Sequence, residues 1–149
     1  MNEEVRDRSL IEDVEPGYAQ AIGAAVFAFA LLEAEALRGC EILQPGILGE
    51  LDDRTAGRVA DTLLSLCRTK AGKADDLIEA AKRFQALVRS RNNLLHAKPG
   101  RIGDGAPRLL RDGDAWSEGE MKAIAATFAD CAASLTEALA RSELLPPIR

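Results

Sequence analysis

A short stretch of the chain brings together the residue types that phosphodiester chemistry needs. Arg91, Asn92 and His96 span six residues, and His96 is the only histidine in the sequence. Arginine offers several N–H donors to a phosphate, asparagine can orient it, and histidine exchanges protons near neutral pH. Arg91 would therefore neutralise a scissile phosphate, Asn92 would position the phosphate or the ribose hydroxyl, and His96 would act as general acid and base.

Arg91 is expected to lie on the apolar face of its helix. At about 100° per residue, Phe84 and Val88 lie within about 60° of Arg91. Glu33 has a similar position on the apolar face of an earlier helix that carries Phe29. A buried guanidinium cannot lose its proton, so it must find an anion or several acceptors. The structural interpretation is an Arg91–Glu33 pair, direct or through one water, which would support the site without showing whether it is catalytic.

The charge distribution favours a local site for a polyanion. The net charge of −5 argues against a protein that coats nucleic acids in general. Residues 1–53 carry 12 acidic and 3 basic side chains, whereas residues 82–111 carry eight basic side chains and Asp104 as their only acidic one. Within this basic segment, Lys98 and Arg101 follow the candidate site and could hold the flanking phosphates.

Four helices are predicted to position these residues. The chain has 149 residues, of which 47% are apolar and only 4% aromatic, and this composition favours packed helices. Breakers and caps bound four segments, which run from Tyr18 to about Leu43, Thr55 to about Lys70, Ala74 to about His96, and Ser117 to about Arg141. The predicted fold class is therefore all-α, an up-and-down four-helix bundle over residues 17–142. A charged N-terminal tail at 1–16 and a C-terminal tail at 143–149 flank it.

A short β-hairpin or an ordered loop is predicted before the last helix. Asp112-Gly113 is a strong hairpin turn signal, one residue after the short run Pro107–Leu110. The breaker Lys98-Pro99-Gly100 is expected to end the third helix. Ser117 and Glu120 have the spacing of a capping box, which predicts the start of the last helix.

The sequence predicts neither a cofactor nor a metal site nor a membrane span. Cys40, Cys67 and Cys131 lie far apart without a CxxC spacing, so buried thiols in a reducing cytosol are expected. A single histidine cannot form a histidine-rich metal site. The longest uncharged apolar run, residues 21–32, is shorter than a bilayer span, and the acidic N-terminus is unlike a secretory signal. We therefore expect a cytoplasmic protein.

The first long helix is expected to form a homodimer interface. It is apolar nearly all round, with Phe27, Leu31 and Ala34 opposite the stripe that runs from Ile22 to Phe29. One core cannot cover both sides of a helix, and an exposed apolar patch of that size usually marks an interface.

The segment Arg91-Asn92-Asn93-Leu94-Leu95-His96 resembles the Arg-x(4–6)-His signature of the HEPN superfamily, in which a polar residue directly follows the arginine. Residues 22–33 are similar to the first helix of that family, and the resemblance covers about residues 17–142. It implies a helical bundle that dimerises with two motifs facing one shared cleft. Many such proteins are metal-independent endoribonucleases, including toxins that pair with an antitoxin protein. By this resemblance Arg91 and His96 are catalytic, and Asn92 takes the polar position.

Three hypotheses remain open at this point. The first is a homodimeric ribonuclease, a toxin or defence effector, and the retained arginine, polar residue and histidine favour it. The second is a non-catalytic HEPN-like module that binds a nucleotide, RNA or a protein, which the overall acidity and the lack of stacking aromatic residues near the motif favour. The third is an unrelated helical bundle with a structural Arg91 and His96. One toxin branch has a tyrosine two residues after the histidine, but Lys98 has that position here, so regulation at such a tyrosine is not expected.

Overall fold

Helices make up most of the structure, a computed structural model that describes residues 3–51, 53–71 and 74–143, with side chains over 8–51, 53–71 and 74–142. Over these ranges the elements are α1 (Glu3–Glu12), α2 (Pro16–Leu43), α3 (Leu48–Leu51), α4 (Ala56–Lys70), α5 (Asp75–Leu95), β1 (Lys98–Gly100), β2 (Arg108–Arg111), β3 (Asp114–Ala115) and α6 (Glu118–Glu143). The prediction of a mainly α-helical chain is confirmed. The predicted C-terminal tail lies, beyond Glu143, outside the described residues.

The predicted start signals of α4 and α6 are confirmed. The Thr55 hydroxyl accepts a hydrogen bond from the Arg58 N–H at 3.3 Å and caps α4. The Ser117 hydroxyl accepts from the Glu120 N–H, and the Glu120 carboxylate accepts from the Ser117 N–H, both at 3.0 Å. This reciprocal pair is a capping box, so the start of α6 is fixed by local sequence.

Apolar side chains of α2, α4, α5 and α6 form one large buried cluster, called here the main core. At its centre the Phe29 ring lies 5.1 Å from that of Phe128 and 6.2 Å from that of Phe84, which joins α2, α6 and α5. The three cysteines are free thiols in this core, as predicted. Burial raises the pKa of Cys40 and Cys131 to about 11 and that of Cys67 to about 12.

The helix directions correct the predicted up-and-down order. Gly17 lies against Glu118 near the start of α2 and α6, and Gly39 lies against Leu139 near the end of both helices. The two helices therefore run in the same direction, whereas the first and fourth helices of an up-and-down bundle run in opposite directions.

Only the connection between α2 and α4 departs from an up-and-down order, because the later long helices alternate in direction. Helix α5 runs opposite to α6, because Asp76 pairs with Arg141 at 3.2 Å and Cys131 approaches the Ala80 carbonyl. It also runs opposite to α4, because the Ala74 N–H donates to the Ala71 carbonyl where α4 ends and α5 begins, and Gln85 donates to Asp61 farther along both helices. Residues 44–55 contain α3 and replace the tight turn that an up-and-down order requires between α2 and α4.

A three-stranded antiparallel sheet in the order β1-β2-β3 lies between α5 and α6 in the sequence. The predicted hairpin turn is confirmed, because Asp112 and Gly113 both have positive φ values, 51° and 85°, and Arg111 pairs with Asp114 across them. Strand β1 was not predicted. From the sequence, Pro99 is interpreted as a helix breaker only. Strand β1 is an edge strand, where a proline without an N–H is tolerated.

A second, smaller group of buried residues, called here the Tyr18 cluster, joins the start of α2, the end of α5 and the start of α6. It consists of Tyr18, Ala21, Ala25, Leu94 and Met121. The Tyr18 hydroxyl donates to the Trp116 carbonyl at 2.8 Å and accepts from the Leu109 N–H at 2.9 Å. A single buried side chain therefore fixes the sheet against α2.

The N-terminal segment, predicted as a charged tail, contains helix α1. It has no apolar periodicity that would have predicted a helix, and its described side chains include an exposed Arg8–Glu12 pair one turn apart. The segment contacts the body of the protein through polar groups, described below, and through Val14, which packs against the Tyr18 cluster.

Candidate active site

The last turn of α5 carries the candidate catalytic residues. Leu94 anchors this turn because its side chain is buried in the Tyr18 cluster. His96 is the C-cap, with φ −91° and ψ 0°, and its N–H donates to the Asn92 carbonyl at 2.9 Å. The predicted placement of Arg91, Asn92 and His96 at one helix end is confirmed. The reason is local, since α5 stops before the Pro99-Gly100 breaker.

Arg91 is half-buried in a small pocket between α2 and α5. Its Nη1 donates to the Asn92 Oδ1 at 3.0 Å, and its Cζ lies 5.3 Å from the centroid of the Phe29 ring. The first contact ties the guanidinium to the amide, and the second is a cation–π interaction with the main core. The pocket has a volume of about 140 Å³ and is also lined by Glu33.

The predicted direct pair between Arg91 and Glu33 is wrong. Both side chains line the same pocket, but no ion pair joins them. The guanidinium faces the Asn92 amide and the Phe29 ring instead, so the apolar position of Arg91 is satisfied without a carboxylate. Within the described part of the chain, Arg91 pairs with no acidic side chain. The water-mediated contact with Glu33 remains a prediction.

His96 and Lys98, which follow the last turn of α5, are exposed. No described group forms a hydrogen bond with the His96 imidazole, which leaves both ring nitrogens available to a ligand. Lys98 begins β1 and pairs with Leu110 of β2, so the sheet sets its distance from the helix end.

Arg101, predicted to hold a flanking phosphate, already has an anionic partner. Its Nη2 lies 2.6 Å from the Asp13 Oδ2 and donates to the Ser9 hydroxyl at 3.3 Å. Its Nη1 donates to the Gly105 carbonyl at 3.1 Å. The structure thus places Arg101 against the N-terminal segment, with its side chain 28% exposed.

Two arginines of β2 contact the site region, and sequence reasoning gave neither a role. Arg111 donates to the Asn93 Oδ1 and so joins the sheet to the last turn of α5. Arg108 lies over the Tyr18 ring, with 4.4 Å between its Cζ and the ring centroid, and pairs with Glu15 at 3.4 Å. These contacts join residues far apart in the chain, so no local spacing could have predicted them.

The exposed apolar face predicted on α2 is confirmed as exposed. Phe27 is 67% and Leu31 is 53% accessible, and Ala34 is exposed beside them. Val26 and Leu95, which are about half exposed, continue this face to the rim of the Arg91 pocket. The candidate site and the apolar face are therefore one continuous surface.

Two helices, α2 and residues 118–142 of α6, are long and apolar enough to cross a membrane by length and composition. The core helices of soluble proteins pass the same test, so this is weak evidence for a span. Within the described residues, no three His, Cys, Asp or Glu side chains form a group that could hold a metal ion. Comparison of the chain with protein-family models, characterised proteins and solved structures finds no match.

Proposed function

We propose that this chain is a metal-independent endoribonuclease of the HEPN type that acts as a homodimer. One observation carries the proposal: Arg91, which pairs with no acidic side chain among the described residues and is hydrogen-bonded to Asn92, shares one helix end with the exposed His96. Such a cation attracts an anion, and the neighbouring imidazole can move protons at that anion. In this proposal the four long helices are a variant of the HEPN-type bundle.

The proposed reaction uses the ribose as the nucleophile. His96 removes the proton of a 2′-hydroxyl, the 2′-oxygen attacks the adjacent phosphorus, and the bond from phosphorus to the 5′-oxygen breaks. The 5′-oxygen receives a proton from the protonated His96 imidazole, and a 2′,3′-cyclic phosphate remains. Arg91 stabilises the charge that develops on the phosphate oxygens, and Asn92 orients the phosphate or the hydroxyl. Lys98 holds a flanking phosphate.

The proposed dimer uses the apolar face of α2. A second copy packed on Phe27 and Leu31 would remove this surface from water and close the Arg91 pocket at its rim. Two motifs would then line one cleft, and both arginines could act on one phosphate. We propose a cytoplasmic toxin or defence effector, controlled by an antitoxin protein.

A non-catalytic binding module is the second candidate, and the packing of Arg91 favours it. The guanidinium lies against Phe29 and Asn92, as expected for a residue that stabilises the end of α5. In this case the same surface would bind a nucleotide, RNA or a protein without cleaving it.

Cleavage of mixed RNA in EDTA distinguishes the two candidates. The assay compares the wild type with His96→Ala and with Arg68→Ala, a control that removes an exposed basic side chain from the last turn of α4. We expect cleavage by the wild type and the control, with 2′,3′-cyclic phosphate ends, and none by His96→Ala. Binding of RNA without cleavage by a folded dimer would support the second candidate.

A further inference from the structure

Two carboxylates of the N-terminal segment form ion pairs with two arginines of the basic segment, residues 82–111. Arg101 lies 2.6 Å from Asp13 and 3.3 Å from the Ser9 hydroxyl. Arg108 lies 3.4 Å from Glu15. Asp13 and Glu15 are the first and last residues of the connection between α1 and α2, so one short acidic segment contacts both arginines.

The two arginines lie at the same end of the sheet. Gly100 pairs with Arg108 across β1 and β2, and Arg101 directly follows Gly100. Lys98 starts the same strand β1 and is exposed, so a basic surface extends from the motif along the sheet to the acidic segment. A nucleic-acid backbone carries a row of phosphates, which a series of basic side chains along a surface can contact.

The two carboxylates of the acidic segment are held weakly enough to be displaced. The Asp13 and Glu15 side chains are 58% and 54% exposed, and exposed ion pairs contribute little because water and salt screen them. Ile11 is 76% exposed and adds little burial, whereas Val14 packs against the Tyr18 cluster and anchors the backbone between the two acids.

We propose that the Asp13 and Glu15 carboxylates mask a polyanion-binding surface formed by Arg101 and Arg108, and that bound RNA displaces them. The inference rests on the proposed function for the identity of the polyanion. Phosphate oxygens replace the two carboxylates at the guanidinium groups, and the two acidic side chains turn away from the sheet while Val14 stays packed against the Tyr18 cluster. The segment thus weakens binding of short or sparse anions and yields to a strand that offers several phosphates at once.

The test compares two charge-matched double variants for RNA binding. Asp13→Asn with Glu15→Gln removes the mask, and Asp130→Asn with Glu137→Gln removes the same charge from exposed positions on α6, away from the sheet. Glu15 makes no capping hydrogen bond to α2, so its replacement leaves the helix start intact. All variants carry His96→Ala, which prevents cleavage, and the ligand is a fluorescent oligouridylate followed by anisotropy at several salt concentrations.

We expect the unmasked variant to bind about fivefold more tightly than the α6 control at moderate salt. The slope of log affinity against log salt should be equal in the two double variants, because RNA makes the same two phosphate contacts once it has displaced the carboxylates. In an Arg101→Gln background, Asp13→Asn should then give no gain. Equal affinity of the two double variants at every salt concentration would overturn the proposal.

The outcomes separate this inference from the proposed function. If the unmasked variant binds RNA more tightly than the control, but the protein with His96 intact does not cleave RNA, the masking proposal stands and the nuclease proposal is wrong. If RNA cleavage depends on His96, but the unmasked and control variants bind RNA equally well, the nuclease proposal stands and the masking proposal is wrong.

Discussion

The two ends of this molecule are built on different principles. In the main core, buried side chains of four helices pack through apolar contacts, and the described residues include no buried polar or charged side chain. At the other end, the Tyr18 cluster is small, and hydrogen bonds position the sheet and the motif. They join Tyr18 to Trp116 and Leu109, Arg91 to Asn92, and Arg111 to Asn93. The comparison indicates that the main core supplies most of the stability, whereas the motif end exposes charged groups to a ligand.

Shortening a main-core side chain should have the largest effect on stability. Leu63 is fully buried in α4, and Leu63→Ala should lower the free energy of unfolding by about 2–5 kcal/mol because it leaves a cavity. Urea unfolding measures the change, with Ile102→Ala, at an exposed loop position, as the control. A loss below about 1 kcal/mol would show that the main core does not dominate stability.

A charge on the apolar face of α2 should separate the proposed dimer. Leu31→Arg would bring like charges together across a symmetric interface, which costs several kcal/mol, or at least about a hundredfold in the dissociation constant. Sedimentation velocity at micromolar concentration should show a dimeric wild type and a monomeric variant, while Ile102→Arg stays dimeric. A monomeric wild type would contradict the role given to this face.

Removal of the Tyr18 hydroxyl should loosen the motif end alone. Tyr18→Phe leaves the Leu109 N–H and the Trp116 carbonyl without this partner, at a cost of about 1–3 kcal/mol. Hydrogen exchange should become faster in the sheet and remain slow in α4. Ser134→Ala, which removes an exposed hydroxyl from α6, is the control. Equal acceleration in α4 would show that the two ends open together.

The smallest expected effect is the pH dependence of the stability that the buried Cys67 thiol contributes. Burial raises the pKa of Cys67 from 9.0 to about 12, so the unfolded chain loses this proton at a lower pH than the folded chain does. Its contribution to stability is fully present below pH 9 and is lost as the pH rises toward 12. The stability difference between wild type and Cys67→Ala should therefore shift by about 1.4 kcal/mol against the wild type between pH 8 and pH 10. A constant difference over this range would contradict the burial of this thiol.

The same contrast explains what could be predicted from the sequence. Apolar periodicity and local caps predict the four long helices, the capping box at Ser117 and the exposed Phe27 and Leu31, because neighbours in the chain determine these features. The Asp112-Gly113 turn was predictable for the same reason. The motif was found at a helix end because its residues lie within one segment.

The features that were missed depend on contacts between distant parts of the chain. Helix α1 has no apolar stripe, and the bonds from Arg101 to Asp13 and from Arg111 to Asn93 join polar groups without a periodic signature. The expected Arg91–Glu33 pair failed because a cation on an apolar face can be satisfied by an amide and an aromatic ring. The common direction of α2 and α6 follows from the connection at residues 44–55, whose path local signals do not specify.

We propose that the motif end cleaves RNA while the main core maintains the fold. The decisive experiment measures the unfolding free energy and the rate of RNA cleavage in EDTA on the same preparations of wild type and His96→Ala. Because His96 is exposed, we expect equal stability within about 0.5 kcal/mol and a cleavage rate lower by at least about a hundredfold in the variant. Equal cleavage by both proteins, or no cleavage by a folded wild-type dimer, would contradict it.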